Sequence, residues 1–160
     1  MIASLLVSLL SLAMPCYRPP VDAPVAVPFV MPACTWCPGH RGLEYWPMPG
    51  TPVRVVAAGV VTFNGVVAGT RYVVVLQADG LRATYGLLAS TAVGRGQIVA
   101  AGQVVGASGA RLYFGLRDAA DQPVDPTPML GVLTGRPRLV PSGGHAPRAG
   151  PPPHLVCAAA

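Results

Sequence analysis

Ala110–Arg117 reads ARLYFGLR, an alternation of apolar residues with other types that predicts a β-strand. The period of two sends Arg111, Tyr113 and Gly115 to one face of this strand. The apolar residues of the opposite face, which belong in a core, are Leu112, Phe114 and Leu116. The first face carries a guanidinium beside a phenol. These groups are suited to holding a ligand, but they are poor ligands for zinc.

The composition favours one domain of mostly β structure. The chain has 160 residues, of which 52% are hydrophobic and 11% charged, so it can bury a substantial core. Its 19 Gly and 19 Pro require many turns and leave little room for long helices. We therefore expect an all-β fold.

Four further runs rich in β-branched residues precede Ala110–Arg117 and predict short antiparallel strands. They are Thr51–Phe63, Arg71–Gln77, Leu81–Leu88 and Gln97–Gly106. Turn signals separate them at Asn64-Gly65, Ala68-Gly69, Asp79-Gly80 and Ser108-Gly109. An internal echo, VAAGVV at Val56–Val61 and VAAGQVV at Val99–Val105, suggests two similar halves packed as a sandwich or partly closed barrel. Pro126–Leu130 is expected to make one helical turn.

The charged residues of the chain exclude some cofactor chemistry and limit the predicted partners. The formal net charge is +5, and all 11 basic residues are Arg. Because Lys is absent, lysine-linked cofactors and Schiff-base chemistry are excluded. The positive charge favours an anionic partner such as cell-wall polymer, but the Arg residues are scattered singly, so nucleic acid is not a predicted partner.

The ends of the chain differ in composition from its middle. Residues 1–13 have the apolar length and small residues of a signal peptide, which predicts export and no permanent membrane span. Residues 14–38 are Pro-rich and predict an extended arm, part of which could form an edge strand. Residues 39–134 form the predicted domain, and residues 135–160 a disordered Pro/Gly/Ala-rich tail. Lipidation of Cys16 is an alternative to cleavage alone.

Cys34-Thr35-Trp36-Cys37 has three interpretations. In an exported protein it indicates a disulfide framework, in which Cys16 and Cys157 are further candidate partners. A thioredoxin-like redox site is disfavoured because the motif lies among prolines instead of opening a helix. A zinc site could draw on Cys34, Cys37, His40 and Glu44, although oxidation would remove the thiolates.

Several motifs, in their order and spacing, resemble the lysostaphin/LytM-type zinc endopeptidases that cleave peptidoglycan cross-bridges. They are GHRGLE at Gly39–Glu44, PGTPV at Pro49–Val53, GVV at Gly59–Val61, YGLL at Tyr85–Leu88, GQVVG at Gly102–Gly106 and LYF at Leu112–Phe114. The resemblance covers roughly residues 28–131 and implies the duplicated hybrid motif fold. That fold agrees with the internal echo.

The resemblance also implies a set of site positions, most of which are substituted here. His40 matches the first zinc ligand, and Glu44 stands where the family has Asp. Tyr113 stands at the third ligand, while Arg111 and Leu87 stand at two catalytic histidines. Because a catalytic zinc needs three protein ligands and a base, we expect a non-catalytic relative with only a vestigial metal site at His40 and Glu44.

The expected function is binding of cell-wall peptide, or of a cell-wall enzyme, without cleavage. Tyr85, Arg111 and Tyr113 are the candidate groove residues, and the Arg111 guanidinium could pair with a peptide carboxylate. The two tyrosines could instead be framework aromatics, and His40 and Glu44 a hydrogen-bonded loop pair. The alternative function is an active zinc metalloendopeptidase with a rebuilt metal site, so zinc stays an open possibility as a cofactor.

Overall fold

The computed structural model of the chain describes residues 16–34, 36–134 and 154–157. Its strands are β1 Val25–Val27, β2 Leu43–Tyr45, β3 Pro52–Arg54, β4 Gly59–Val67, β5 Thr70–Gln77, β6 Arg82–Thr91, β7 Ile98–Val99, β8 Val104–Arg117, β9 Pro123–Val124, β10 Val132–Thr134 and β11 His154–Val156. One 3-10 turn spans Thr127–Met129, within the segment predicted to make a helical turn. Within these ranges no helix is long and apolar enough to cross a membrane.

Nine of the described strands form one large antiparallel sheet in the order β1-β2-β8-β6-β5-β4-β7, with β3 and β9 also paired to β8, and β10 and β11 form a separate two-stranded sheet. The all-β prediction is therefore confirmed. Strand β8 is 14 residues long and pairs with β2, β3, β6 and β9, so it ties both ends of the fold together. The two halves marked by the internal echo meet where the Val55 amide donates to the Gln103 carbonyl (2.8 Å) and the Gly102 amide donates to the Val55 carbonyl (2.7 Å).

The core lies on one face of β8, as the alternation predicts. Leu112, Phe114 and Leu116 are fully buried, while Arg111 is exposed and Tyr113 half-buried on the other face. Phe114 packs against the buried ring of Tyr85 with ring centroids 5.4 Å apart. Burying each large apolar side chain stabilises the fold by roughly 1.5–3 kcal/mol, so this face is the main source of stability.

Two of the four predicted turns are real, and two are wrong. The hairpins at Ala68-Gly69 and Asp79-Gly80 use residues with φ between 48° and 86°. Asn64-Gly65 lies inside β4, and Ser108-Gly109 lies inside β8. At Ser108-Gly109 the pairing of β6 with β8 jumps from Gly86↔Tyr113 to Leu88↔Ser108, so these residues begin an irregular stretch instead of a turn. Residue pairs that favour turns also favour such bulges.

Two of the predicted strands are interrupted. The run Thr51–Phe63 is divided into β3 and β4, which are separated by residues 55–58. The run Gln97–Gly106 is divided by a turn in which Gly102 has φ 81°, a conformation that favours glycine. The echo therefore marks the irregular segments that join the strands.

The Pro-rich arm packs along the domain. Strand β1 pairs with β2 and lies at one end of the sheet path, as expected of an edge strand. Tyr17 and Val21 are buried against the core, and the Tyr17 hydroxyl donates to the Asp79 carboxylate. The arm is thus part of the packed structure.

The region predicted to be a disordered tail is described only at residues 154–157, and there the structure differs from the prediction. His154–Val156 forms β11, which pairs antiparallel with β10, and Cys157 forms a disulfide with Cys16. A short apolar strand and a covalent link supply the order that the composition of the region does not indicate. The predicted signal peptide, residues 1–13, lies outside the described residues.

Candidate functional site

The sheet register brings the family positions together on its open face. Glu44 of β2 lies opposite Tyr113 of β8, which lies opposite Gly86 of β6, which in turn lies opposite Tyr72 of β5. Residues in one such row project from the same face. His40 precedes β2 by three residues and is held by a backbone bridge to Val30 of the arm. The site is therefore built on the most tightly paired part of the fold.

His40 has a ligand-like orientation. Its Nδ1 lies 2.9 Å from the Pro28 carbonyl oxygen, which can only accept, so Nδ1 carries the hydrogen. Its Nε2 lies 3.5 Å from Glu44 Oε1. A backbone carbonyl that fixes the outer nitrogen is the usual support for a metal-binding imidazole. His40 therefore keeps the geometry of a ligand.

Glu44 is occupied on both sides. One carboxylate oxygen faces His40, and the other lies 3.3 Å from Nη1 of Arg111. The Glu44 side chain is 17% exposed and that of Arg111 57% exposed, so the pair is only partly screened by solvent. The guanidinium of Arg111 therefore neutralises the carboxylate at the position that the resemblance assigns to a zinc ligand. His40 and Glu44 are thus in contact, as in the alternative of a hydrogen-bonded loop pair, although Glu44 lies in β2 and not in a loop.

Tyr113 is fixed by its surroundings. Its hydroxyl donates to the Arg41 carbonyl oxygen at 2.9 Å, and its ring meets that of His40 edge-on, with centroids 6.0 Å apart. Burial raises the pKa of the phenol, so it keeps its proton at neutral pH and acts as a donor. A Cβ at Gly42 would lie 2.7 Å from the Tyr113 ring, so this position requires glycine. The phenol oxygen is therefore committed to the backbone.

Leu87 has a left-handed backbone conformation with φ 62°, which is unusual for a leucine. It lies at the irregularity between Gly86 and Leu88, where β6 leaves its register with β8. Such a conformation costs on the order of 1–2 kcal/mol for a residue with a Cβ. Strain of this kind is kept where the surrounding structure imposes it, and it is concentrated at functional sites.

Tyr85 lies outside the groove, so its place among the predicted groove residues is wrong. It is fully buried, and its hydroxyl accepts a hydrogen bond from the Val56 amide at 2.9 Å. Its neighbour Gly86 belongs to the open face, and the strand period then sends Tyr85 to the core. The alternative interpretation, a framework aromatic, describes it correctly.

The four cysteines form two disulfides, Cys34–Cys37 and Cys16–Cys157. The disulfide interpretation of the Cys-x-x-Cys motif therefore agrees with the structure. With both sulfurs of the motif bonded to each other, a zinc site from Cys34, Cys37, His40 and Glu44 lacks its thiolates.

The residues at the family's zinc positions do not fit a catalytic zinc. Arg111 places a cation beside the Glu44 carboxylate, and Tyr113 donates its hydroxyl hydrogen to a carbonyl oxygen. In the part of the chain that the structure describes, no three His, Cys, Asp or Glu side chains are grouped so that they could hold a metal ion. A catalytic zinc site needs three ligands from the protein.

Comparison with known proteins agrees with the fold. Residues 38–126 match Peptidase family M23. The chain belongs to this family. The matched region begins just before His40 and ends after Arg117, so it contains every substituted position described above.

Similar solved structures include three proteins of this fold. Csd3 of Helicobacter pylori is 25% identical, with a TM-score of 0.64 over 79% of this chain and 37% of its own. Lysostaphin is 23% identical, with a TM-score of 0.61 over 77% of this chain and 58% of its own. SpoIIQ in the SpoIIQ–SpoIIIAH pore forming complex is 19% identical, with a TM-score of 0.64 over 74% of this chain and 92% of its own. The last two likenesses concern the fold alone.

Similar curated proteins are uncharacterized proteins of Mycobacterium bovis and Mycobacterium tuberculosis. Each is 39% identical over 72 residues, or 45% of this chain. The matched region spans 28% of the length of these relatives.

Arg71 is a residue of the site that was not predicted. It is the second residue of β5, after the hairpin at Ala68-Gly69, and lines a pocket together with Arg111 and Leu87. Nothing in the local sequence marks it, because its proximity to Arg111 depends on the register of β5, β6 and β8. Only its position at the start of a strand next to a turn could have suggested a place at the rim of the sheet.

Proposed function

We propose that this chain is an exported, non-catalytic member of the M23 family that binds cell-wall peptide on the open face of its sheet without cleaving it. A cell-wall enzyme is the second partner that such a surface could take. The observation that carries the proposal is the Glu44–Arg111 pair, in which a guanidinium neutralises the carboxylate of the family's metal site.

The proton chemistry of the site also favours binding without cleavage. Hydrolysis by an activated water needs a group that can accept a proton at neutral pH. The Arg111 guanidinium has only N–H donors, Leu87 has no basic atom, and the raised pKa of Tyr113 keeps its phenol neutral. His40 can accept a proton only at Nε2, since its Nδ1 donates to the Pro28 carbonyl.

The same face offers groups that bind peptides well. Tyr72 and Tyr113 are half-buried aromatics in one row across the sheet, and Arg111 is an exposed guanidinium beside them. Trp46, which follows β2 directly, is 65% exposed. Aromatic and Arg side chains contribute most of the energy at peptide and protein interfaces. SpoIIQ is found in a complex with SpoIIIAH, so the fold is compatible with a protein partner.

Co-sedimentation with purified peptidoglycan tests the proposal. We expect the protein to pellet with the polymer, and we expect Tyr113→Ala combined with Arg111→Ala to reduce the bound fraction at least about tenfold, as loss of two interface anchors does. Arg95→Ala is the control, because it removes the same charge from a loop away from the site. Equal loss in the control would mean that binding is only charge-driven.

A zymogram separates binding from hydrolysis. We expect no clearing of a peptidoglycan gel, with or without added zinc, and no stoichiometric zinc in protein purified without chelator. Clearing that disappears in His40→Ala would establish the alternative, a metalloendopeptidase with a rebuilt site, and would refute the proposal.

The oxidation state of the cysteines in the exported protein is a separate test. An oxidising compartment keeps structural disulfides intact. Mass mapping without reductant on protein collected outside the cytoplasm should show Cys34 and Cys37 linked. Free thiols at both positions in that material would overturn the disulfide assignment and revive the metal alternative.

A further inference from the structure

A pocket of about 290 Å³ lies beside the Glu44–Arg111 pair, at the place where β6 and β8 separate. Between Gly86↔Tyr113 and Leu88↔Ser108, one residue of β6 stands against four of β8, and the strands cannot stay paired there. The pocket is lined by this irregular stretch and by the β4–β5 hairpin. It is therefore built into the sheet.

Two arginines line this pocket. Arg111 enters it from β8 and Arg71 from β5, and no Asp or Glu is among the described residues that line it. Arg71 makes no ion pair with any residue in the described ranges, and it is half-buried. Arg111 gives one nitrogen to Glu44, and its fork has further N–H donors. Positive charge thus exceeds negative charge at this point of the groove.

We propose that this pocket binds a carboxylate, held between the guanidinium groups of Arg71 and Arg111. Arg binds carboxylates through paired N–H donors, and partial burial strengthens such bonds. The volume suits a small group such as the end of a peptide better than a whole ligand. The inference deepens the proposed function, because it names the part of a cell-wall peptide that this site recognises.

The carboxylate can come from a peptide terminus or from an acidic side chain. Three N-acetylated synthetic peptides distinguish these sources: tetra-alanine as the free acid, tetra-alanine as the C-terminal amide, and an amide in which one alanine is replaced by glutamate. N-acetyl-alanine serves as a smaller probe that does not depend on the rest of the groove. Its control is N-acetyl-alanine amide, which lacks the carboxylate.

The experiment is an NMR titration that follows the Nε–H signals of Arg71 and Arg111. We expect N-acetyl-alanine to shift both signals and its amide to shift neither. Arg71→Gln and Arg111→Gln should each weaken binding of the free-acid tetrapeptide at least about tenfold, since each removes a charged hydrogen-bond donor. Arg95→Gln, an exposed loop arginine away from the pocket, should leave it unchanged.

Each outcome has a distinct meaning. Equal shifts with acid and amide, or no shift with either, would overturn the carboxylate site, while peptidoglycan binding would still support the proposed function. Shifts with the acid by a protein that does not sediment with peptidoglycan would keep the site and refute the function. Arg111→Lys, which keeps the charge but loses the planar fork, should bind with intermediate affinity. Thermal unfolding of each variant shows whether it is folded.

Discussion

The two faces of strand β8 differ: one carries the apolar residues that the fold needs, and the other carries substitutions at the site positions that the resemblance implies. On the core face, Leu112, Phe114 and Leu116 are all fully buried, and they are the apolar residues that the fold needs. On the open face, Arg111 and Tyr113 stand where the resemblance to the M23 peptidases places two histidines. Side chains of neighbouring residues in a strand serve different environments. The fold can therefore persist while the chemistry of the site is replaced.

The first prediction tests whether stability depends on the core face alone. Phe114→Ala should lower the free energy of unfolding by about 3–5 kcal/mol, because it leaves a cavity against Tyr85. Arg111→Ala, three residues earlier on the open face, should cost less than about 1 kcal/mol. Urea unfolding followed by circular dichroism measures both. Similar losses for the two variants would mean that the open face also stabilises the fold.

The second prediction restores the open face. Glu44→Asp, Leu87→His, Arg111→His and Tyr113→His together should raise the affinity for zinc at least about a hundredfold, measured by calorimetry; metal sites depend on their full ligand set. Leu87→His is favourable in itself, because His is tolerated at positive φ better than Leu. Single reversions should have little effect, since residues that act as a unit are not additive.

The control for this experiment is the same variant carrying His40→Ala. It should lose the gained affinity, because His40 holds Nε2 towards Glu44. Zinc affinity that survives the loss of His40 would show that the metal binds elsewhere and that the alignment of the site is wrong.

The fold was largely predictable from the sequence, because its signals are local. Alternation identified the two faces of Ala110–Arg117, and the hairpins at Ala68-Gly69 and Asp79-Gly80 follow from residues that accept positive φ. The signals failed at Asn64-Gly65 and Ser108-Gly109, where a sequence typical of a turn lies inside a long strand. Whether such a pair makes a turn or a bulge depends on the partner strand.

The site was predictable only where the resemblance supplied positions. It led to His40, Glu44, Leu87, Arg111 and Tyr113, but their contacts could not be read from the chain. The ion pair of Glu44 with Arg111 joins residues 67 positions apart, and the bond from Tyr113 reaches a carbonyl 72 positions away. Such contacts depend on the register of the paired strands. A register shift of one residue would move each side chain of a strand to the opposite face of the sheet.

The third prediction concerns the strain at Leu87, on the irregular part of the open face. With φ 62° at this position, Leu87→Gly should be more stable than Leu87→Ala by about 1 kcal/mol. At Ala89, two residues along the same strand, the order should reverse, and Ala89→Gly should lose about 0.5–1 kcal/mol. Urea unfolding measures both comparisons. The same order at both positions would show that the backbone at Leu87 is not strained.

The last prediction has the smallest expected effect and concerns the ion pair between Glu44 and Arg111 on the open face. A double-mutant cycle with Glu44→Gln and Arg111→Gln should give a coupling energy of about 0.2–1 kcal/mol, because the Arg111 side chain is 57% exposed and its pair is partly screened. The cycle is needed because Glu44→Gln alone also changes the contact with His40.

The control is the pair Arg82–Asp121, whose side chains are 36% and 62% exposed. The Asp121 carboxylate is more solvated than that of Glu44, which is 17% exposed, so the coupling of the control pair should be weaker. Both couplings should shrink in about 1 M salt, where the Debye length is about 3 Å. A coupling of zero for Glu44 and Arg111 at low salt would mean that the guanidinium does not hold the carboxylate. Glu44 would then be available to a cation, as the resemblance implies for the Asp of the peptidases at this position.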